Sequence, residues 1–223
     1  MDNIIAIDGP AASGKSSIAE RLAERLEIPY VNTGNMYRAV TLAAMRKGFS
    51  ADAPDYTILH DVLKEIMLDY VAGPDGKLLL ELNGEPVDSE IRRPDVAKCV
   101  SVVAAWPAVR KWLVDRQRRF AGLGMIVMEG RDIGTVVFPN AQYKFFLTAT
   151  PVVRAARRLK QEGESSEGAT VASVAAEIAK RDEMDMNRKV SPLKRADDAV
   201  LVDSSDMTIE QVLDFIIDRI AID

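Results

Sequence analysis

Asn3 to Asp8 (NIIAID) is a short β-branched run that stops at the turn pair Gly9-Pro10, the pattern of a buried strand. From Lys15 to Leu26 the apolar positions Ile18, Leu22 and Leu26 recur every four residues, with Glu20, Arg21, Glu24 and Arg25 on the other faces, which predicts a helix. The chain therefore opens as strand, glycine-containing loop, helix. Further apolar runs predict strands at Tyr30 to Asn32, Met125 to Glu129, Lys144 to Leu147 and Ala199 to Asp203, with helical stretches between several of them. Short strands alternating with helices imply an α/β fold with a parallel sheet covered on both faces. The last helix starts at a capping-box pattern, Thr208-Ile-Glu-Gln211, and is expected to bury Ile209, Val212, Leu213, Ile216 and Ile220.

Residues 67–88 break this alternation. MLDYV, GPDG, KLLLEL and NGEP read as two strands and the start of a third joined by turns, an antiparallel β insertion. Gly163 to Gly168 (GESSEG) reads as a polar loop between two helical segments, too short for an interdomain linker. Met128 to Phe138 (MEGRDIGTVVF) places a Gly-Arg-Asp-x-Gly turn between two apolar runs, just after a predicted strand of the parallel sheet, where ligands collect in such folds.

Composition narrows the class. The 223 residues, 48% hydrophobic and 28% charged, suit one globular domain, and a net charge of -5 argues against a general nucleic-acid binder. One cysteine, Cys99, permits neither an intrachain disulfide nor a cysteine-rich zinc site. Asp2 stands where a secretory leader would be basic, and no uncharged run approaches the ~18 residues of a membrane span, so a cytoplasmic protein without a membrane partner is expected.

Gly9-Pro10-Ala11-Ala12-Ser13-Gly14-Lys15-Ser16 matches G-x-x-x-x-G-K-[ST] between a predicted strand and a predicted helix. Such a loop wraps phosphate oxygens with its amides and the helix N-terminus, Lys15 adds a charge near the β and γ phosphates, and Ser16 is suited to ligate Mg²⁺. No Asp-x-x-Gly switch segment or Asn-Lys-x-Asp guanine reader accompanies it, which disfavours a GTPase and leaves a phosphotransferase whose acceptor must be read from other residues.

Transfer between two anions needs more positive charge than one lysine and one metal ion supply. Arg154, Arg157 and Arg158 share one helical face, and Arg181, Asp185 and Arg188 another, on either side of the GESSEG loop. Solvated faces with weak internal ion pairs are the plain alternative. Recurrence around a potential lid favours a charge clamp that closes over the donor and excludes water.

Nearly end to end the chain resembles the bacterial cytidylate (CMP) kinases of the nucleoside monophosphate kinase family, through IDGPAASGKSS, NTGNMYR, VAAWPAVR, EGRDIGTVVFP, and RDEMDMNR followed by SPLK. The resemblance implies ATP-dependent phosphorylation of CMP, and of dCMP, by a P-loop kinase with Mg²⁺, acting as a monomer on small-molecule substrates rather than nucleic acid. It also implies one domain over residues 1–223, with a monophosphate-binding region at 33–100 that carries the β insertion, and a short helical lid at 154–188. By position, Gly9 to Ser17, Ser17 included, would hold the ATP phosphates, and Arg154, Arg157 and Arg158 would supply lid contacts to the donor. Thr33, Arg38, Arg131 and Arg188 would meet the acceptor phosphate, Ser101, Arg110 and Asp132 the cytosine, and Arg181 and Asp185 the ribose. Lys15, Arg131 and Arg188 would carry catalysis. The chain has Asn32-Thr33-Gly34 for the family's Asp-Ser-Gly and Glu129 for its Asp, which leaves open the residue that holds the waters around Mg²⁺, Glu129 being the candidate.

The chemistry of the base agrees. Cytosine offers an N4 amino donor where uracil offers an acceptor, so a carboxylate such as Asp132 separates them by about 1–3 kcal/mol. No strong general base is required, because the acceptor is already an ionised phosphate oxygen. His60, Cys99, Trp106 and Trp112 read as surface or packing residues. A kinase for another monophosphate or metabolite, and a non-enzymatic ATP-binding regulatory module, are the competing readings.

Overall fold

The computed structural model describes residues 2–74, 76–161 and 168–220. Its main sheet has five parallel strands in the order β2 (Tyr30–Asn32), β6 (Ile126–Gly130), β1 (Asp2–Asp8), β7 (Ala141–Thr148) and β8 (Val200–Asp203). β1 lies at the centre because its run is apolar on both faces: Ile4, Ile5, Ala6 and Ile7 have no exposed surface. Ile5 and Ile7 face a core completed by Ile18 and Leu22 of α1 (Lys15–Leu26) and by Val212, Leu213 and Ile216 of α8 (Ile209–Ile220). Ile4 and Ala6 face a larger core with α2 (Thr33–Arg46), α3 (Tyr56–Glu65), α4 (Pro94–Ala105) and α5 (Pro107–Gln117).

The expected β insertion is present as an antiparallel sheet of β3 (Leu68–Ala72), β4 (Leu78–Leu82) and β5 (Glu85–Pro86), and its Leu68, Leu80 and Leu82 feed the larger core. α6 (Pro151–Leu159) and α7 (Val171–Asn187) pack on the phosphate loop, with Ala155, Val174 and Ile178 closing around Ala11. Most of the GESSEG loop, residues 163–167, lies outside the described residues.

One expectation needs correction. Thr208 and Gln211 do form the reciprocal cap of α8, but Ile209 is 38% exposed. It is the first helical residue and lies at the end of the buried stripe that Val212, Leu213 and Ile216 continue. The second apolar run of MEGRDIGTVVF is not extended. Ile133–Val137 coil into a π-helical turn, with the amides of Val136 and Val137 both on the Asp132 carbonyl.

Gly9 is required by close approach of two strands. At its φ of 153°, an added Cβ would stand 2.0 Å from the Leu147 carbonyl oxygen of β7. Gly9→Ala should therefore cost about 2–3 kcal/mol and displace the loop that follows. Urea unfolding is expected to show that loss, and an unchanged midpoint would contradict this account of the β1–β7 contact.

Candidate active site

The phosphate loop runs from the carboxyl end of β1 into the N-terminus of α1, where Gly14 adopts a φ of 95° to make the final turn. Lys15 is buried and folds back on its own loop, donating to the Pro10 carbonyl at 2.6 Å and to Ser13 Oγ at 3.2 Å. Burial and the nearby Arg131 guanidinium lower its pKa to about 7 against the opposing pull of Glu129, Asp182 and Asp8. Ser16 and Ser17 are exposed at the start of α1.

Two arginines of α6 touch this loop. Arg157 donates to the Ser13 carbonyl at 3.0 Å and to Ser204 Oγ and O at 2.9 and 2.7 Å. Arg154 is buried, donating to the carbonyls of Ala11 at 3.0 Å and Ala149 at 3.1 Å, and it pairs with Asp182 of α7. Asp182 also accepts from the Ala11 amide at 2.9 Å, so α7 is tied directly to the loop. Arg158 is buried on the same helix and adds to the positive field at Arg181.

Beside the loop, a narrow cleft of about 50 Å³ gathers residues from α2, α4, α5, the end of β6 and α7. Thr33, Ser101, Arg110, Arg131, Asp132, Arg181, Asp185 and Arg188 all line it, so eight residues singled out across the sequence meet at one place. Arg38 does not line the cleft. It is buried, donates to the Ile91 carbonyl at 3.1 Å, and lies close enough to depress Arg181.

The cleft is short of negative charge: four guanidiniums, those of Arg110, Arg131, Arg181 and Arg188, face two carboxylates, Asp132 and Asp185. Asp132 pairs with Arg110, which is 1% exposed, and its other oxygen lies 3.9 Å from Nη2 of Arg188. Asp185 pairs with Arg131 at 3.0 Å and with Arg188 at 3.4 Å. Burial and the neighbouring Arg131 and Arg38 bring Arg181 down to about 9, with Asp185 opposing. Burial first, then Arg110, also lowers Arg188. Buried nitrogens Nε of Arg181 and Nη2 of Arg188 have no hydrogen-bond partner among the described residues. Unsatisfied buried donors of like charge make a site for a multivalent anion.

A larger cleft, about 580 Å³, runs from Ser16 and Ser17 between α1 and the β3–β4 hairpin, with Lys77 bridging to Glu24 at 2.7 Å. Its walls carry Glu20, Glu24, Glu27 and Asp88, which repel an anion, so volume is a poorer guide here than charge.

Among the described residues no group of three or more His, Cys, Asp and Glu side chains could cage a metal ion. The oxygens present suit Mg²⁺ held chiefly by phosphates and water, the usual arrangement at a nucleotide site. Ser16 is exposed at the loop, and Glu129 is buried at the end of β6 with the Tyr30 hydroxyl on its Oε1 and its backbone carbonyl accepting from Thr33 Oγ1 at 2.8 Å. Asn32 caps α2 instead, accepting from the Asn35 amide at 3.1 Å, which leaves Glu129 as the nearer match to a metal-side carboxylate.

Sequence reasoning passed over Asp8, Asp182 and Ser204. Asp8 lies 5% exposed at the end of β1, its carboxylate accepting the Ile133 amide at 2.9 Å and the Gly134 amide at 2.8 Å. Its position at the carboxyl end of a parallel strand, directly before Gly9, was the available signal. Burial raises its pKa to about 6 despite both amides. Asp182 and Ser204 carried no such signal, since their partners are distant in sequence.

The cytidylate kinase family model matches residues 5–221. A cytidylate kinase of Desulforamulus reducens is 47% identical over 213 residues, covering 96% of this chain and 94% of that one. One from Mycobacterium avium is 46% identical over 220 residues, covering 98% and 95%. Among solved structures, a shikimate kinase from Bacteroides thetaiotaomicron superposes with a TM-score of 0.52 at 11% identity over 98% of each chain, a likeness of fold alone.

The raised Asp8 pKa has a consequence for stability. Between the ordinary value of 3.8 and about 6 the folded chain holds a proton that the unfolded chain has lost, so the contribution is full below 3.8 and gone above about 6. The unfolding free energy of Asp8→Asn minus that of the parent should therefore grow by about 2 kcal/mol from pH 4 to pH 7. Urea titrations at the two pH values measure this, and a constant difference would contradict it.

Proposed function

Because the chain belongs to the cytidylate kinase family, we propose that it transfers the γ-phosphoryl group of ATP to CMP, with dCMP as a second acceptor, giving ADP and the nucleoside diphosphate. The observation that carries this reading is the cleft with its excess of guanidiniums and the buried nitrogens of Arg181 and Arg188 that have no hydrogen-bond partner among the described residues. A nucleoside monophosphate presents the dianion that such a cleft lacks.

The donor phosphates lie in the loop from Gly9 to Ser17, against its amides and the N-terminus of α1. Their charge raises the Lys15 pKa and keeps the ammonium protonated. Ser16 would hold Mg²⁺, with Glu129 reaching it through water, and the bound ion would neutralise charge on the β and γ phosphates. Arg38, Arg131 and Arg188, with Thr33, receive the acceptor phosphate. Arg181 and Asp185 lie at the ribose, and Ser101, Arg110 and Asp132 at the base.

Asp132 accepts from the cytosine amino group and Arg110 donates to the ring acceptors. Their ion pair fixes both side chains before the base arrives. The reaction needs alignment and charge neutralisation more than proton transfer, and these residues supply both.

Within this proposal residues 33–100 are the monophosphate-binding region and 154–188 the lid. Arg154, Arg157 and Arg158 of α6 supply the lid contacts to the donor. The protein acts as a cytoplasmic monomer. Among the described residues no helix is long and apolar enough to cross a membrane.

Coupled ADP release with ATP-Mg²⁺ against CMP, dCMP, UMP, AMP and GMP is expected to rank CMP and dCMP first. Equal rates across the panel, or ADP release without an acceptor, would sink the proposal. Arg131→Ala should lower kcat by about 10²-fold or more if its guanidinium meets the transferring group in a dry site. Near-normal turnover would place Arg131 outside the chemistry.

A further inference from the structure

The π-helical turn at Ile133–Val137 begins with Asp132 in the capping position, yet the Asp132 side chain makes no cap to it. Aspartate at a helix start ordinarily turns its carboxylate onto the next free amides. Here the first amides of the turn, those of Ile133 and Gly134, are both taken by Asp8, 125 residues away from Ile133 in sequence. The Asp132 carboxylate instead reaches across to Arg110 and lines the cleft.

We propose that Asp8 is a positioning residue for nucleobase discrimination: by capping the turn in place of Asp132, it keeps the Asp132 carboxylate aimed into the cleft. Without both Asp8 oxygens, the freed amides compete with Arg110 and the base for Asp132. The turn is crowded enough to hold this arrangement, since a Cβ on Gly134 would meet Lys144 Cδ at 3.1 Å and Asp8 Oδ2 at 3.5 Å. Lys15 and Asp132 are the charged groups that act most strongly on Asp8, and neither replaces it as an acceptor for the two amides.

This inference rests on Asp132 reading the base, and the two are separable. The measurement is kcat/KM for CMP and for UMP, at saturating ATP-Mg²⁺, in the parent, Asp132→Asn, Asp8→Asn and the double variant. Asp132→Asn should cut the CMP to UMP ratio about tenfold or more. Asp8→Asn should cut it by a similar factor, chiefly through KM for CMP, and the double variant should lose no more than Asp132→Asn alone, because both act through one carboxylate.

A ratio unchanged in Asp8→Asn while Asp132→Asn lowers it would overturn the positioning role and leave the base assignment standing. Multiplying losses in the double variant would also overturn it. An unchanged ratio in Asp132→Asn would remove the base assignment and this inference together. If Asp8→Asn fails to fold, Asp8→Ser, which is smaller and offers one acceptor oxygen, is read in the same way.

Discussion

Four guanidiniums gathered around one cleft, that of Arg110 buried and the others partly so, with only two carboxylates to answer them, set the terms for the elements nearby. Burying an unpaired charge is costly, so the fold must distribute what compensation it has. Asp185 is shared between Arg131 and Arg188, and Asp132 is held by Arg110 with Arg188 at 3.9 Å from its other oxygen. Arg181 is left with an unpartnered nitrogen and a pKa depressed to about 9. The remaining deficit matches a phosphate dianion, so the substrate completes the electrostatics that the protein leaves open.

Such a cleft stays in register only if distant segments are held together. α7 and its C-cap contribute Arg181, Asp185 and Arg188, and Asp182, next to Arg181, grips the Ala11 amide and Arg154. The helix that bears acceptor-side arginines is thereby anchored to the phosphate loop, and the small apolar cluster around Ala11 supports the same contact. On the opposite side Asp8 links the end of β1 to the turn that carries Arg131 and Asp132. Both anchors are buried carboxylates bonded to backbone amides, which specify position more closely than apolar packing does.

Much of the frame was legible in sequence because its signals are local. The period of Ile18 and Leu22, the turn at Gly9-Pro10 and the hairpin signals of 67–88 each depend on neighbours a few residues away. The arginine faces and the Gly-Arg-Asp-x-Gly turn were legible because charged side chains recur where phosphate chemistry needs them. Asp8 and Asp182 were not, since their meaning lies in partners more than 100 residues distant. The π-helical turn was hidden for a related reason: a glycine-bearing apolar run such as IGTVV has no local preference for coiling, and Asp8 supplies the acceptors that favour it. Ile209 was misplaced because a periodic stripe does not reveal where the neighbouring surface ends.

The claim at the centre of this account is that the phosphate, more than the base, satisfies the cleft. Calorimetric titration of the protein with CMP and with cytidine, without ATP, tests it directly. CMP is expected to bind at least about 10²-fold more tightly, with an advantage that shrinks in the Arg188→Ala variant. Equal affinities for CMP and cytidine would contradict it.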